Sequence, residues 1–139
     1  MLLDAILRDF GERITEPVTV VVENQLGQDL MVAMDADAFA ICIRNLVENA
    51  ALHGAKGRPI KLIVGQDWTI RVINEGAVVA ADRLAVLKDR FVRGGLQPNG
   101  SGLGLAIVDR IMRQSDGALE LTSPATGQTA GFEAKLILP

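Results

Sequence analysis

The sequence predicts an α+β domain of two layers, a mixed, mostly antiparallel sheet with helices packed on one face. Three observations predict it. Runs rich in β-branched residues at 18–23, 60–64 and 68–73 read as strands. Two longer segments, 35–53 and 103–115, carry apolar residues at helical spacing. Strands and helices are mixed without strict βαβ alternation, which favours antiparallel neighbours.

The elements follow in chain order. Leu2, Leu3, Ile6, Phe10 and Ile14 recur at spacings of three and four, so residues 2–14 read as a short amphipathic helix. Pro17 ends it, because proline disfavours helix in the residue before it. Residues 18–23 form a strand, 24–28 a turn, and 30–34 a second short strand. A helix then starts at Asp35 or Asp37, with acids in its first turn, and stops at Gly54. Its apolar stripe is Phe39, Cys42, Ile43, Leu46, Val47 and Ala50. Residues 60–64 and 68–73 read as an antiparallel pair joined by Gly65-Gln66-Asp67, which Asn74-Glu75-Gly76 closes. Residues 81–91 are weakly helical, and 92–102 form a glycine-rich loop. A helix over 103–115 buries Ile107, Val108, Ile111 and Met112. Gly117 terminates it, and 118–122 with 131–138 make a closing hairpin.

Composition bounds the function. A chain of 139 residues buries roughly 68% of its unfolded surface, enough for one core without staples. One cysteine, Cys42, rules out an internal disulfide, and one histidine, His53, rules out a histidine-rich metal site. The net charge of −3 lacks the basic excess of a nucleic-acid binder. Mean hydropathy is positive, at +0.27. Yet no apolar run approaches the ~18 residues of a membrane span, and the start lacks the pattern of a signal peptide. The cytoplasm is the expected compartment, with no direct membrane contact.

Three features carry possible chemistry. Asn45 and Asn49 are four apart, on one side of the helix and at the edge of its apolar stripe. Side-chain carbonyls there suit a hard cation such as Mg²⁺ that keeps its waters and bridges phosphates. The plain alternative is two amides satisfied by backbone or water. Gly100-Ser101-Gly102-Leu103-Gly104-Leu105 opens a helix. Its glycines let a ligand approach the backbone, and the free N–H groups of a helix start suit phosphate. It is neither the dinucleotide fingerprint nor a P-loop. Asn74-Glu75-Gly76 ends a strand, where glycine lets the chain pass close to a flat ligand; the alternative is an ordinary turn. Lys88, Arg90 and Arg93 gather before the glycine-rich loop, and the arginine fork suits phosphate.

Together and in this order, these features resemble the Bergerat-fold ATPases. The chain is most similar to the catalytic ATP-binding domain of bacterial sensor histidine kinases. Asn45-Leu46-Val47-Glu48-Asn49-Ala50 looks like that family's N box. Residues 72–76 sit where its G1 box belongs, 87–94 resemble its F box, and 100–108 match its G2 box. The likeness spans about residues 18–139.

The resemblance implies Mg²⁺·ATP as cofactor, with Asn49 holding the metal and Asn45 close to the phosphates. It places Asn74 at the adenine amino group, Gly76 against the base, and Gly100, Gly102, Leu103 and Gly104 around the phosphates. Arg90 or Arg93 reaches the γ-phosphate as the catalytic cation, and His53 lies beside the nucleotide. The phosphoacceptor histidine belongs to a dimerisation domain outside this chain, with a response regulator downstream. Residues 1–16 are then the remnant of a linker helix and 17–139 the ATP-binding domain, monomeric by itself. Four positions depart from the family pattern: Asn74 replaces the usual acid, and Leu52, Val78 and Lys88 replace other usual residues. Two alternatives follow from these departures and from the fold. One is a non-catalytic interaction module; the other is a protein-serine kinase of the anti-sigma-factor type.

Overall fold

A computed structural model describes residues 2–13, 19–55, 57–92 and 103–139. The helices are α1 (Leu2–Arg13), α2 (Ala36–His53), α3 (Ala81–Val92) and α4 (Leu103–Gln114). The strands are β1 (Val20–Asn24), β2 (Ile60–Val64), β3 (Thr69–Asn74), β4 (Ala118–Thr122) and β5 (Phe132–Ile137). They form one sheet in the order β1-β2-β3-β5-β4. β1 runs parallel to β2, and the other three pairings are antiparallel. The mixed, mostly antiparallel sheet expected from the sequence is present. Its parallel pair arises because α2 lies between β1 and β2 and returns the chain in the same direction.

The alternation of each strand decides its faces. Ile60, Leu62 and Val64 of β2 are buried while Lys61 is exposed. Leu119 and Leu121 of β4 point inward, with Phe132, Ala134 and Leu136 of β5. Against this face pack α2 and α4, which also touch each other. Phe39, Cys42, Ile43, Leu46 and Val47 of α2 have no exposed surface. Each large apolar side chain so buried contributes roughly 1.5–3 kcal/mol. Leu3 and Ile6 extend the same core onto α1. The opposite sheet face carries charge: Arg71 meets Glu133 diagonally at 3.6 Å, and Lys135 meets its register partner Glu120 at 3.6 Å.

Helix α2 is the frame of the site, and local chemistry sets its ends. The Asp35 side chain accepts from the Ala38 N–H at 3.0 Å, a cap worth about 1 kcal/mol. At the other end the Gly54 N–H donates to the Ala50 carbonyl at 2.8 Å.

One predicted element is absent. Residues 30–34 form no strand. Leu30, Val32 and Met34 are half-buried against the core, and Met31 between them is exposed. An extended segment laid on a core shows the same period-two burial as a strand. It pairs with no neighbouring strand, so the pattern is real and the ladder is not.

Candidate functional site

Asn45, Asn49 and His53 follow one another at intervals of one helical turn along an edge of α2. Asn45 Nδ2 donates to the Ile41 carbonyl at 2.8 Å, which turns its oxygen outward. That oxygen lies against Gly104 in the first turn of α4: a Cβ on Gly104 would stand 2.9 Å from Asn45 Oδ1. A side chain at 104 would therefore have to push the Asn45 amide aside.

Asn49 and His53 line a cavity of about 460 Å³. Residues 77–80, Arg83 and Val86 of α3, Leu105 of α4 and Phe132 of β5 complete its wall. The wall is mainly apolar, with an amide, an imidazole and a guanidinium at separate places, a composition suited to a small ligand carrying a flat part and a charged part. Asn49 is half-buried, and its side chain makes no hydrogen bond to another described residue.

Asn74, the last residue of β3, is not in the wall of this cavity; it borders a second one, with Arg58, Lys61, Arg71 and Thr126. It is 2% exposed. Its Oδ1 accepts from the Gly76 N–H at 3.1 Å and from the Phe132 N–H at 3.1 Å. Two chain segments are thereby tied to one amide. The turn after Asn74 rests on the end of α2: a Cβ on Gly76 would stand 2.5 Å from the His53 carbonyl oxygen and 3.3 Å from Gly54 Cα. Gly131, at φ +90°, crowds the Asn74 carbonyl from the other side. The rim is pinned by Ser123, whose hydroxyl accepts from the Val79 N–H at 2.8 Å and donates to the Gly131 carbonyl at 2.6 Å.

These placements sort the residues singled out from the sequence. Asn49 and His53 line the cavity and Asn45 meets Gly104. Asn74 and Gly76 are bonded to each other next to the end of α2 but do not line this cavity. Leu103 opens α4. Arg90 lies on α3, with its side chain outside the described residues. Arg93, Gly100 and Gly102 also lie outside them. Asn74 differs from expectation in one respect: its oxygen holds two backbone N–H groups and is not free for a base amine. Sequence reading missed Arg83, Ser123 and Phe132. Arg83 stands one helical turn and more before the basic cluster, so its charge drew no notice. Ser123 and Phe132 carry no motif and reach the site only through the closing hairpin.

Residues 34–139 match the model of the histidine kinase-, DNA gyrase B- and HSP90-like ATPase family. The chain belongs to this family. Its relatives include the sensor protein BasS of Salmonella typhimurium, 31% identical over 122 residues, which cover 84% of this chain and 34% of that protein. The sensor protein QseC of Escherichia coli K12 is 35% identical over 99 residues, covering 70% of this chain and 21% of its own length. The chain therefore spans about a third or less of these relatives. Among solved structures, the catalytic domain of histidine kinase ThkA superposes with a TM-score of 0.76 at 21% identity, covering 99% of this chain and 90% of that one. A mycobacterial sensor histidine kinase, MprB, gives 0.72 at 23% identity, covering 99% and 91%. The domain is of the sensor-histidine-kinase type, an ATP-binding catalytic domain, and the non-catalytic alternative is not favoured. No helix among the described residues is long and apolar enough to cross a membrane.

Proposed function

We propose that this domain binds Mg²⁺·ATP in the cavity between α2, α3 and α4 and presents the γ-phosphate to a histidine on a separate dimerisation domain. The observation that carries the reading is the junction of Asn45 with Gly104, next to Asn49. It brings two amide side chains of α2 to the start of a helix whose backbone N–H groups attract phosphate. The donor set fits a hard cation. Among the described residues no cluster of His, Cys, Asp or Glu offers a self-sufficient metal site. A cation held by the Asn49 carbonyl, waters and phosphate oxygens needs none.

Each residue then has a task. Asn49 holds Mg²⁺ and Asn45 stands by the phosphates. Gly100, Gly102, Leu103 and Gly104 cradle the phosphates with backbone N–H groups. Asn74 and Gly76 form the base pocket, and His53 flanks the nucleotide. Arg90 or Arg93 neutralises the γ-phosphate, and Arg83 adds a cation to the cavity wall. When bound, Mg²⁺ neutralises phosphate charge; the chain's own contribution is positioning and electrostatic stabilisation, as in other phosphoryl transfers. The partners are the histidine-bearing dimerisation domain and a response regulator, and the domain works in the cytoplasm.

Calorimetric titration with ADP and a non-hydrolysable ATP analogue, with and without Mg²⁺, tests the reading. Micromolar binding that needs Mg²⁺ and is lost in Asn49→Ala is expected. No binding at millimolar nucleotide refutes it.

A further inference from the structure

The sheet face turned away from the helices holds a second cavity, of about 350 Å³. Ile73 of β3 and Glu133 of β5 are register partners on that face, yet they are only 7% and 2% exposed. The connection between β4 and β5 folds back over them. Glu133 accepts there from the Thr126 N–H at 3.3 Å and from the Thr126 hydroxyl at 3.1 Å. This connection forms one wall, with Gln128 and Thr129, and Ile63 and Ile73 form an apolar floor. Arg58, Lys61 and Arg71 enter from the chain before β2, from β2 and from β3. No described residue lines both this cavity and the one assigned to nucleotide.

The charge of the lining runs against that of the chain. The net charge is −3, while the cavity sets three cations against one exposed carboxylate, Glu75. Arg71 is answered by Glu133, at 3.6 Å. Arg58 and Lys61 are exposed, and neither forms an ion pair with another described residue. Lys61 is the register partner of Ile73, so it stands diagonal to Arg71 on the neighbouring strand. On its other side Arg71 is the register partner of Lys135. Like charges directly opposite one another destabilise a sheet, and long side chains reach across the diagonal as well. An anion held between Arg58, Lys61 and Arg71 offsets that repulsion.

We propose that this second cavity binds a small organic phosphate monoester, with its organic part resting on Ile63 and Ile73. The two cations without a described partner match the charge of a phosphate monoester, about −1.5 to −2 at pH 7. The Arg58 guanidinium presents a planar fork that takes two phosphate oxygens at once, and the Lys61 ammonium acts as a point charge. The Thr129 hydroxyl and the Gln128 amide are further donors in the wall. The volume falls in the range of small-molecule sites, about 300–1,000 Å³, and leaves room for more than a bare phosphate ion. Binding here is independent of the nucleotide reading, because the two cavities share no described residue.

The test is an NMR titration of the ¹⁵N-labelled chain with phenyl phosphate, at low salt so that screening is weak. Saturating amide shifts are expected within residues 58–63, 71–75 and 126–130, with a Kd of about 1 mM or tighter. Phenyl sulfate has the same shape with one charge fewer, and inorganic phosphate has the charge without the ring. Each is expected to bind at least about fivefold more weakly. Arg58→Gln and Lys61→Gln are each expected to weaken phenyl phosphate by at least about fivefold. Both side chains are exposed and without a described ion pair, so urea melts of the two variants should match that of the natural chain. Shifts that do not saturate, or that scatter over surface lysines and arginines, overturn the proposal. So do shifts confined to α2 and α4, inorganic phosphate binding as tightly as phenyl phosphate, or an unchanged affinity in both variants. Failure of ADP to bind would refute the nucleotide reading and leave this one standing.

Discussion

Replacing Gly76 by alanine tests how closely the turn after β3 packs on the end of α2. The added Cβ would stand 2.5 Å from the His53 carbonyl oxygen, where ordinary contact begins near 3.4 Å. The obstacle is backbone at the end of α2, not the tip of a mobile side chain. The turn and the helix end must therefore part by about 0.9 Å, the difference between those two distances. Overpacking of this kind costs about 1–3 kcal/mol. The shift also strains the bond from the Gly76 N–H to Asn74 Oδ1, worth about 1 kcal/mol. A loss of about 3 kcal/mol in all is expected. For a domain of this size that lowers Tm by roughly 12 °C, and the urea midpoint by about 1.5–2 M. Gly57→Ala is the control. Gly57 has φ +76° and nothing within 4 Å of its added Cβ, so it should cost only the left-handed strain, about 1 kcal/mol. Urea melts of both variants beside the natural chain make the comparison. A Gly76→Ala midpoint no lower than that of Gly57→Ala would refute the close packing of the turn on α2.

Four further outcomes are expected. Burial pushes the Cys42 thiol from 9.0 up to about 11, so a thiol reagent near pH 8 should label it only after denaturation. The unfolded chain ionises this thiol first, so stability should fall as pH rises from 9.0 towards 11, and Cys42→Ala should flatten that slope. Glu133 accepts from the Thr126 N–H and hydroxyl and faces Arg71, so Glu133→Ala should cost about 2 kcal/mol by urea denaturation. That figure stays below the cost of a fully buried ion pair because the Arg71 side chain is 25% exposed. The Thr69 hydroxyl, 2.6 Å from Asp67, holds that carboxyl below its ordinary 3.8. Its contribution is present above that value and lost as pH falls through the lower native one. Denaturant melts between about pH 3 and 7 should therefore show a shallower acid limb for Asp67→Asn, and an equal slope would count against the bond.

The sequence by itself determined most of the elements and the face that α2 buries. It misassigned part of α4: Ile107, expected in the core, is 39% exposed, and Leu105 and Ala106 are buried with Val108 and Met112. The stripe of Phe39, Cys42, Ile43, Leu46, Val47 and Ala50 is a local periodicity, and those six residues are the buried residues of α2. Asn45 and Asn49 were legible for the same reason, since spacing along one helix fixes which side chains share an edge; His53 was singled out only by the family resemblance. The meeting of strands was not legible in this way. Residues 30–34 have the alternation of a strand without a partner, because alternation records burial and says nothing of who donates to whom. The amide of Asn74 is the sharper case. Its free end depends on the Phe132 N–H, 58 residues away, arriving when β5 inserts between β3 and β4. Asparagine at a strand end can offer either an oxygen or an NH₂ group. Only the tertiary structure, by occupying the oxygen with two backbone donors, decided that the NH₂ group is the one left over.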